Sequence, residues 1–340
     1  MITAAGRPVA LAIDDATAAG EARRAASALA GRLGFDETER GKVALVATEA
    51  ATNLHKHARR GVIVLQGLED GPRGGVDVLA LDAGPGMTDV GRCLADGYST
   101  AGSPGTGLGA MARLSASFEI YSLPGDGTAA LARLWSSPGA AGPQFGAVSL
   151  PLAGEEACGD HWAIEQEGGR TLVLVVDGLG HGPQAAEAAR EAVRSFGKTA
   201  ALGPAEIIRA AHAALRSTRG AALAVARLDV ERGEVRYAGV GNIAGVVLGA
   251  GEERTTSMVS HNGTVGHTIR KVQEFTYPWS RGSLLIMHSD GLATHWQPGR
   301  YAGLAAAHPG LVAGVLYRDH ARGRDDVTVV AVREPGGGPR

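Results

Sequence analysis

The chain has 340 residues, of which 44% are hydrophobic and 20% are charged. This composition is typical of folded globular proteins and excludes a disordered or fibrous chain, and the length predicts two domains rather than one. Lysine and arginine total 33 against 35 aspartate and glutamate, a formal charge of -2. The charge balance therefore predicts neither a nucleic-acid partner nor an anionic membrane surface.

Cysteine usage and hydropathy indicate the compartment. Cys93 and Cys158 are the two cysteines, and they have neither metal-ligand spacing nor enough partners for a disulfide framework. No apolar run reaches the roughly 18 residues that a membrane helix needs, and the N-terminus lacks a basic region followed by an apolar core. The sequence predicts a cytoplasmic protein with no membrane partner.

In chain order, residues 1–136 predict an α/β layer. A first strand is followed by a helix over residues 18–32, where alanine and leucine recur at helical spacing. A second helix, capped by the run of residues 35–38, extends to His57. Branched apolar runs at 62–68 and 76–81 enclose a glycine-rich stretch and predict a hairpin. A helix at 108–118 and strands at 119–123 and 129–135 complete the layer.

Proline, glycine and serine concentrate at residues 137–146, which predicts a linker. Residues 147–335 then predict a second domain, in which two helices at 183–198 and 204–216 each open with proline. The strands predicted around them are 148–152, 162–166, 171–176, 221–228, 234–239, 244–248, 283–288 and 327–333. Runs of strands with inserted helices indicate a layered α+β domain in which helices pack over sheets.

Three motifs in the first domain have the chemistry of a nucleotide site. Glu49 and Asn53 lie four residues apart on one face of the second helix, where they suit a base and a metal ligand. Asp82 follows a strand and can accept hydrogen bonds from an exocyclic amine, while bare backbone after it lies against a ring. Glycines at the start of the next helix offer backbone amides to phosphates. The glycine-rich positions are Gly84, Gly86, Gly105, Thr106, Gly107 and Gly109.

The order of these motifs resembles that of the GHKL ATPase family, and most closely the anti-sigma-factor serine kinases of the RsbW and RsbT kind. The resemblance implies a Bergerat-type ATP-binding α/β sandwich that uses ATP and Mg²⁺. By it, Asp82 would bind the adenine amine and Asn53 would hold Mg²⁺. Glu49 would deprotonate a protein serine or threonine, and Gly105, Gly107 and Gly109 would form the lid over the phosphates.

Separated acidic residues in the second domain share one context. Asp177 and Asp290 end apolar strands and are each followed by glycine, Asp325-Asp326 precedes a strand, and Asp160 follows Gly159. Hard oxygen ligands without paired histidine or cysteine favour Mg²⁺ or Mn²⁺ over zinc, and several carboxylates around one point indicate two ions. Such a centre activates water and clamps a phosphoryl group for in-line attack.

The motifs GD, DGLGHG, GVGN, SDGL and DDVTVV resemble the metal-dependent protein phosphatases of the PPM class, in the SpoIIE-like branch, and their variants look most like the RsbX subgroup. The resemblance implies a layered αββα phosphatase domain. Its implied metal ligands and catalytic residues are Asp160, Asp177, Asp290 and Asp325, with the carbonyl of Gly178 as a further ligand. Asp326 is the alternative to Asp325. His181 fits either a phosphate contact or a turn or helix-capping role, and the second is favoured.

Together the resemblances imply a partner-switching regulator. Its phosphoserine/phosphothreonine phosphatase and its kinase-like domain would act on STAS-domain proteins of the anti-anti-sigma or stressosome type. Glu49 favours a kinase, because a pure binding module needs no base. The alternative is a nucleotide-sensing module that grips a STAS protein or a sigma factor without kinase activity. A general ATPase of the chaperone or topoisomerase type is disfavoured, because it would need a transducer domain to use the hydrolysis and the sequence indicates none.

Overall fold

The structure is a computed structural model that describes residues 1–94, 107–139, 144–167, 169–250 and 255–334. The chain divides into two compact units. The N-terminal unit is Ala5–Ala140, and the C-terminal unit joins Met1–Ala4 to Ala141–Arg340. Within the described residues, no helix is long and apolar enough to cross a bilayer.

The N-terminal unit is a sheet covered by helices. Its strands lie in the order β1-β2-β3-β5-β4, and the β2/β3, β3/β5 and β4/β5 pairs are antiparallel. The strands are β1 (Ile2–Ala12), β2 (Val62–Asp70), β3 (Arg73–Asp82), β4 (Ser117–Leu123) and β5 (Gly127–Trp135), and the helices are α1 (Ala18–Arg32), α2 (Glu37–His57), α3 (Val90–Leu94) and α4 (Gly107–Leu114).

Helix α2 positions the predicted nucleotide residues of this unit. The Asp36 side chain caps it by accepting a hydrogen bond of 2.8 Å from the backbone N–H of Glu39. Its apolar face, which includes Val43, Val46 and Leu54, is buried in the core against β2, β3 and β5. Glu49 and Asn53, one turn apart and half-buried, flank this apolar face and are thereby held at fixed positions.

The C-terminal unit contains two antiparallel sheets with helices on the outer faces. One sheet has the order β12-β11-β16-β17-β6, and the other runs β15-β10-β9-β8-β7 with Ile2 and Thr3 of β1 pairing to β7. The strands are β6 (Gln144–Leu150), β7 (Asp160–Glu167), β8 (Arg170–Gly178), β9 (Ala221–Asp229), β10 (Glu234–Val240), β11 (Ala244–Leu248), β12 (Thr255–Met258), β13 (Gly263–Thr264), β14 (Thr268–Ile269), β15 (Phe275–Pro278), β16 (Leu284–His288) and β17 (Val327–Arg333).

Helices complete the layers of this unit. Helices α5 (Pro183–Thr199) and α6 (Pro204–Ala214) pack on β7 to β10, and α7 (Pro309–His320) packs on β6 and β17. The sheets face each other, and the Phe145 and Trp162 rings meet between them at 6.0 Å. This arrangement confirms the layered αββα prediction.

The elements differ from the sequence prediction in several places. Helices α3 and α7 and the strands β12 to β15 were not predicted. Helix α4 ends at Leu114, and β4 begins at Ser117, earlier than expected. Strand β6 begins at Gln144, inside the predicted linker 137–146, because Phe145 is buried and these residues pair with β17. The predicted domain ranges also miss Met1–Ala4, which belongs to the C-terminal unit.

Candidate functional site

The N-terminal unit contains a cavity of about 400 Å³ between α2, the end of β3 and α4. This volume is in the range that holds a small molecule or cofactor. Four of the predicted nucleotide-binding residues line it, namely Asn53, Asp82, Gly86 and Gly107. Gly105 and Thr106 lie outside the described residues. Gly109 is buried in α4.

Asp82 lies at the last position of β3 and is 7% exposed. Its Oδ1 accepts a hydrogen bond of 2.6 Å from the backbone N–H of Gly84. A Cβ added to Gly86, whose φ is +69°, would lie 2.1 Å from the carbonyl oxygen of Leu123. The turn after β3 therefore requires glycine at position 86 and brings bare backbone to the cavity wall.

Glu49, Asn53 and Gly107 converge although α2 and α4 are distant in sequence. A Cβ added to Gly107 would lie 2.7 Å from Glu49 Oε2 and 3.7 Å from either end of the Asn53 amide. The Nδ2 atom of Asn53 is buried without a hydrogen-bond partner among the described residues, an arrangement that costs about 1–3 kcal/mol unless a ligand supplies an acceptor. The glycine cradle and the orphaned amide fit a phosphate-bearing ligand with Mg²⁺.

A cluster of carboxylates forms the second site, in the C-terminal unit. Asp160 and Asp177 face each other across the antiparallel pair β7/β8. Asp160 is 4% exposed, and its Oδ2 accepts a hydrogen bond of 2.6 Å from Ser289 Oγ. Burial and the neighbouring charge of Asp177 raise the pKa of Asp160 well above its ordinary value.

Asp290 and Asn242 extend this cluster. Asn242 Nδ2 donates a hydrogen bond of 2.6 Å to Asp290 Oδ2. Burial, followed by the charges of Asp290 and Asp325, raises the pKa of Asp177 to about 7, and a hydrogen bond from Asn242 partly offsets this rise. A divalent cation beside these groups would reverse the repulsion and favour the charged carboxylates.

Hydrogen bonds distinguish the adjacent pair Asp325 and Asp326. Asp326 is 2% exposed, and its two carboxylate oxygens accept hydrogen bonds of 2.6 and 2.7 Å from the backbone N–H groups of Leu152 and Gly159. Asp325 is partly exposed and accepts one hydrogen bond, 2.8 Å from the backbone N–H of Asp326. Asp326 therefore links two chain segments through both of its oxygens. Asp325 has one carboxylate oxygen engaged by that backbone N–H, and its other oxygen can face the carboxylate cluster.

The donor chemistry of the cluster fits Mg²⁺ or Mn²⁺, because carboxylate and carbonyl oxygens are the hard ligands that these ions prefer. The Gly178 backbone is held by its N–H, which donates 3.0 Å to the carbonyl oxygen of Gly159. Within the described parts of the chain, no three histidine, cysteine, aspartate or glutamate side chains converge closely enough to hold an ion as they stand. The detailed ligand set stays a prediction.

His181 lies on the loop that follows Asp177. Its Nδ1 is 2.6 Å from Glu155 Oε1, and its side chain is 54% exposed. The flanking Gly180 and Gly182 have φ values of +85° and +78°, so the loop turns tightly here. Gly182, and not His181, is the N-cap of α5. Of the two structural roles predicted for His181, a turn or a helix cap, the structure fits the turn.

Three polar partners of the site escaped the sequence analysis. Asn242 binds Asp290, Ser289 binds Asp160, and Glu155 binds His181. Asn242 and Ser289 belong to the GVGN and SDGL motifs that the sequence analysis singled out, although it assigned a role only to the aspartate. Glu155 lies in a polar stretch with no motif, and no sequence signal identified it.

Family models match both units. The histidine kinase-like ATPase domain matches residues 13–133, and the stage II sporulation protein E (SpoIIE) model matches residues 167–335. The serine/threonine-protein kinase RsbT of Bacillus subtilis (strain 168) is 32% identical over 114 residues, which cover 34% of this chain and 86% of that relative. The phosphoserine phosphatase RsbX of the same organism is 28% identical over 144 residues, 42% of this chain and 71% of that relative.

Solved structures resemble the C-terminal unit in fold. One, described as the bacterial stressosome, a modular system adapted to control secondary messenger signalling, is 29% identical, has a TM-score of 0.53, and covers 57% of this chain and 100% of its own. RsbX in complex with magnesium is 21% identical, has a TM-score of 0.51, and covers 58% of this chain and 98% of its own. At 21% identity, the similarity to the RsbX structure shows only that the two proteins share a fold.

Proposed function

Because this chain belongs to the RsbT family of histidine kinase-like ATPases through its first domain and joins it to a SpoIIE-type PPM phosphatase domain, we propose that it both phosphorylates and dephosphorylates STAS-domain proteins. The observation that carries the kinase half is the convergence of Glu49 with Asn53 and Gly107, the last two of which line the cavity. The observation that carries the phosphatase half is the carboxylate cluster around Asp177.

In the phosphatase half, Mn²⁺ or Mg²⁺, when bound, would activate water and neutralise the phosphoryl charge. Asp160, Asp177, Asp290 and Asp325 would hold the ions, with the carbonyl of Gly178 as a further ligand. The neighbouring donors keep these carboxylates in place: Ser289 orients Asp160, and Asn242 orients Asp290. Such supporting hydrogen bonds fix the direction of ligand oxygens and strengthen metal binding.

In the kinase half, each residue has a positional task. Asp82 would accept a hydrogen bond from the adenine amine, and the backbone beside Gly84 and Gly86 would contact the ring. Asn53 would hold Mg²⁺. Glu49 accepts the proton of the protein hydroxyl that receives the phosphoryl group. Gly107 would let the phosphates approach both side chains, and Gly105, Thr106 and Gly109 would contribute to phosphate binding as the family resemblance implies.

The partner class rests on the relatives. RsbT is named a serine/threonine-protein kinase and RsbX a phosphoserine phosphatase, and one similar structure is described as the bacterial stressosome. These names support a small phosphorylatable regulator, of the anti-anti-sigma or stressosome type, as the shared substrate of both domains. If the first domain only binds, the expected partner is a STAS protein or a sigma factor.

The kinase proposal is tested by transfer of labelled phosphate from ATP to a STAS protein captured from the source cell. The full chain carries Asp177→Asn, so that the phosphatase does not erase the product. In this background, Glu49→Gln should retain ATP binding and lose transfer by about 10²- to 10⁴-fold, the usual contribution of a positioned base. The exposed Glu37→Gln on the same helix is the matched control. No transfer by the Asp177→Asn chain to a bound partner would establish the binding-module alternative.

A further inference from the structure

The loop that follows Asp177 is fastened to a second turn in the C-terminal unit. The backbone N–H of Leu179 donates a hydrogen bond of 2.9 Å to the carbonyl oxygen of Gly220. Gly180, the next residue, has a φ of +85°. The turn around residue 219 is thereby held at a fixed position beside the carboxylate cluster.

The turn itself is rigid on both sides of Arg219. Thr218 Oγ1 donates 2.8 Å to the carbonyl oxygen of Leu215 and accepts 3.0 Å from the backbone N–H of Gly220. Gly220 has a φ of +78°, and a Cβ there would lie 2.6 Å from the carbonyl oxygen of Val265. The backbone that carries Arg219 is therefore fixed by side-chain and backbone hydrogen bonds.

The Arg219 guanidinium lies over the loop. A Cβ added to Gly180 would lie 3.3 Å from Arg219 Nη1. Arg219 is exposed, and across the described ranges no hydrogen bond or ion pair engages its side chain. His181, the other cationic candidate on this loop, is instead paired with Glu155 at 2.6 Å. The turn thus presents one unengaged guanidinium beside Gly180, three residues after Asp177.

The carboxylates of the cluster repel a phosphate group, and cations at the site must outweigh this repulsion. A guanidinium offers paired N–H donors that match two phosphate oxygens, and such charge-assisted hydrogen bonds are about twice as strong as neutral ones. We propose that Arg219 binds the phosphate of the phosphoserine or phosphothreonine substrate and positions it against the carboxylate cluster. This inference rests on the proposed phosphatase function, and it adds a substrate-binding residue outside the family motifs.

The test compares Arg219→Ala and Arg219→Lys in the full chain with Mn²⁺, using a phosphoserine peptide as substrate and inorganic phosphate as inhibitor. Arg219→Ala should raise the KM and the inhibition constant of phosphate by about 10- to 100-fold, with a smaller change in kcat. Arg219→Lys should recover part of the loss, because an ammonium keeps the charge without the paired geometry. Arg216→Ala, an exposed arginine three positions earlier, should match the wild type.

Two failures are distinguishable. A wild-type chain without metal-dependent hydrolysis would contradict the proposed phosphatase, and phosphate binding measured by calorimetry with Mn²⁺ would then decide the role of Arg219 by itself. An active wild type with unchanged KM and phosphate inhibition in Arg219→Ala would overturn this inference and leave the phosphatase standing. A purely structural role for Arg219 would lower the melting temperature of both Arg219 variants, and the phosphate-binding role would not.

Discussion

Asp325 and Asp326 are chemically identical neighbours whose surroundings give them different tasks. Asp326 accepts two backbone hydrogen bonds from distant segments, at Leu152 and Gly159. Asp325 contributes instead to the charge that raises the pKa of Asp177. A carboxylate with both oxygens engaged by backbone N–H groups stabilises the fold, whereas a partly exposed carboxylate facing other carboxylates suits a cation.

We therefore expect Asp325→Asn to lower Mn²⁺-dependent turnover by roughly 100-fold or more without a loss of thermal stability. Asp326→Asn should instead destabilise the chain by about 1–3 kcal/mol, because the amide nitrogen cannot accept the second backbone hydrogen bond. Hydrolysis of a phosphoserine peptide and thermal unfolding of both variants check this. If Asp325→Asn kept full turnover while Asp326→Asn lost turnover and kept its stability, Asp326 would be the metal ligand and Asp325 the structural residue.

Asp177 also predicts a dependence of stability on pH. Its pKa rises from 3.8 to about 7 in the folded chain, mainly through burial and then through Asp290 and Asp325. The folded state therefore holds a proton that the unfolded chain releases between these values. Stability falls as the pH rises through this window, because the unfolded state binds fewer protons there.

In the presence of a chelator, Asp177→Asn should melt at a higher temperature than the wild type at about pH 8, and the difference should shrink toward about pH 5. Added Mn²⁺ should raise the melting temperature of the wild type and have little effect on the variant. Scanning calorimetry across this pH range measures the difference, with the exposed Asp14→Asn as control. If the wild type were more stable than Asp177→Asn at about pH 8 in chelator, the inferred repulsion between Asp177 and its neighbouring carboxylates would be contradicted.

At the scale of elements, β6 and α7 approach each other at backbone distance. A Cβ added to Gly146 of β6 would lie 2.1 Å from the Cα of Gly310 in α7. Residues 309–316 of α7 are all buried. The glycine pair lets the helix lie directly on the strand, and this contact closes the outer layer of the C-terminal unit.

Gly146→Ala should therefore destabilise the C-terminal unit by about 1–3 kcal/mol, because a well-packed contact has no space for an added methyl group. Gly299→Ala is the matched control, since a Cβ at Gly299 would meet no atom within 4 Å and its φ is not positive. Denaturant unfolding followed by tryptophan fluorescence compares the two variants. Equal unfolding midpoints for both would show that α7 moves away from β6 without cost.

At the scale of the whole molecule, most long strands were predictable because they are apolar runs, and the runs that supply the acidic cluster end at or near Asp-Gly. Asp177 ends β8, and Asp290 comes two residues after β16. The N-cap Asp36 likewise marked the start of α2. The joint order of the glycine and acidic motifs predicted both families, which the matches of the two family models confirm.

Helix α7 was not predictable from periodicity. Its first two turns are buried on all sides, so no polar face alternates with an apolar one, and the 3.6-residue signal vanishes. The short strand β12 is only partly buried, as edge strands of a sheet often are, and its four residues are too few to show a clear alternation of apolar and polar side chains. The hydrogen bonds of Asn242 to Asp290 and of Ser289 to Asp160 were not predictable, because the partners are distant in sequence and meet only in the folded chain.

The first strand has a consequence for the synthesis of this protein. Thr3 Oγ1 donates a hydrogen bond to the carbonyl oxygen of Trp162, 159 positions later in the chain. At a ribosome that adds about 5–20 residues per second, these first residues wait roughly 8–30 s for their partner strand. During that interval their backbone groups lack the pairing that β7 later provides. Nascent chains stalled before residue 162 should therefore bind chaperones through this segment, whereas chains released after β8 should not.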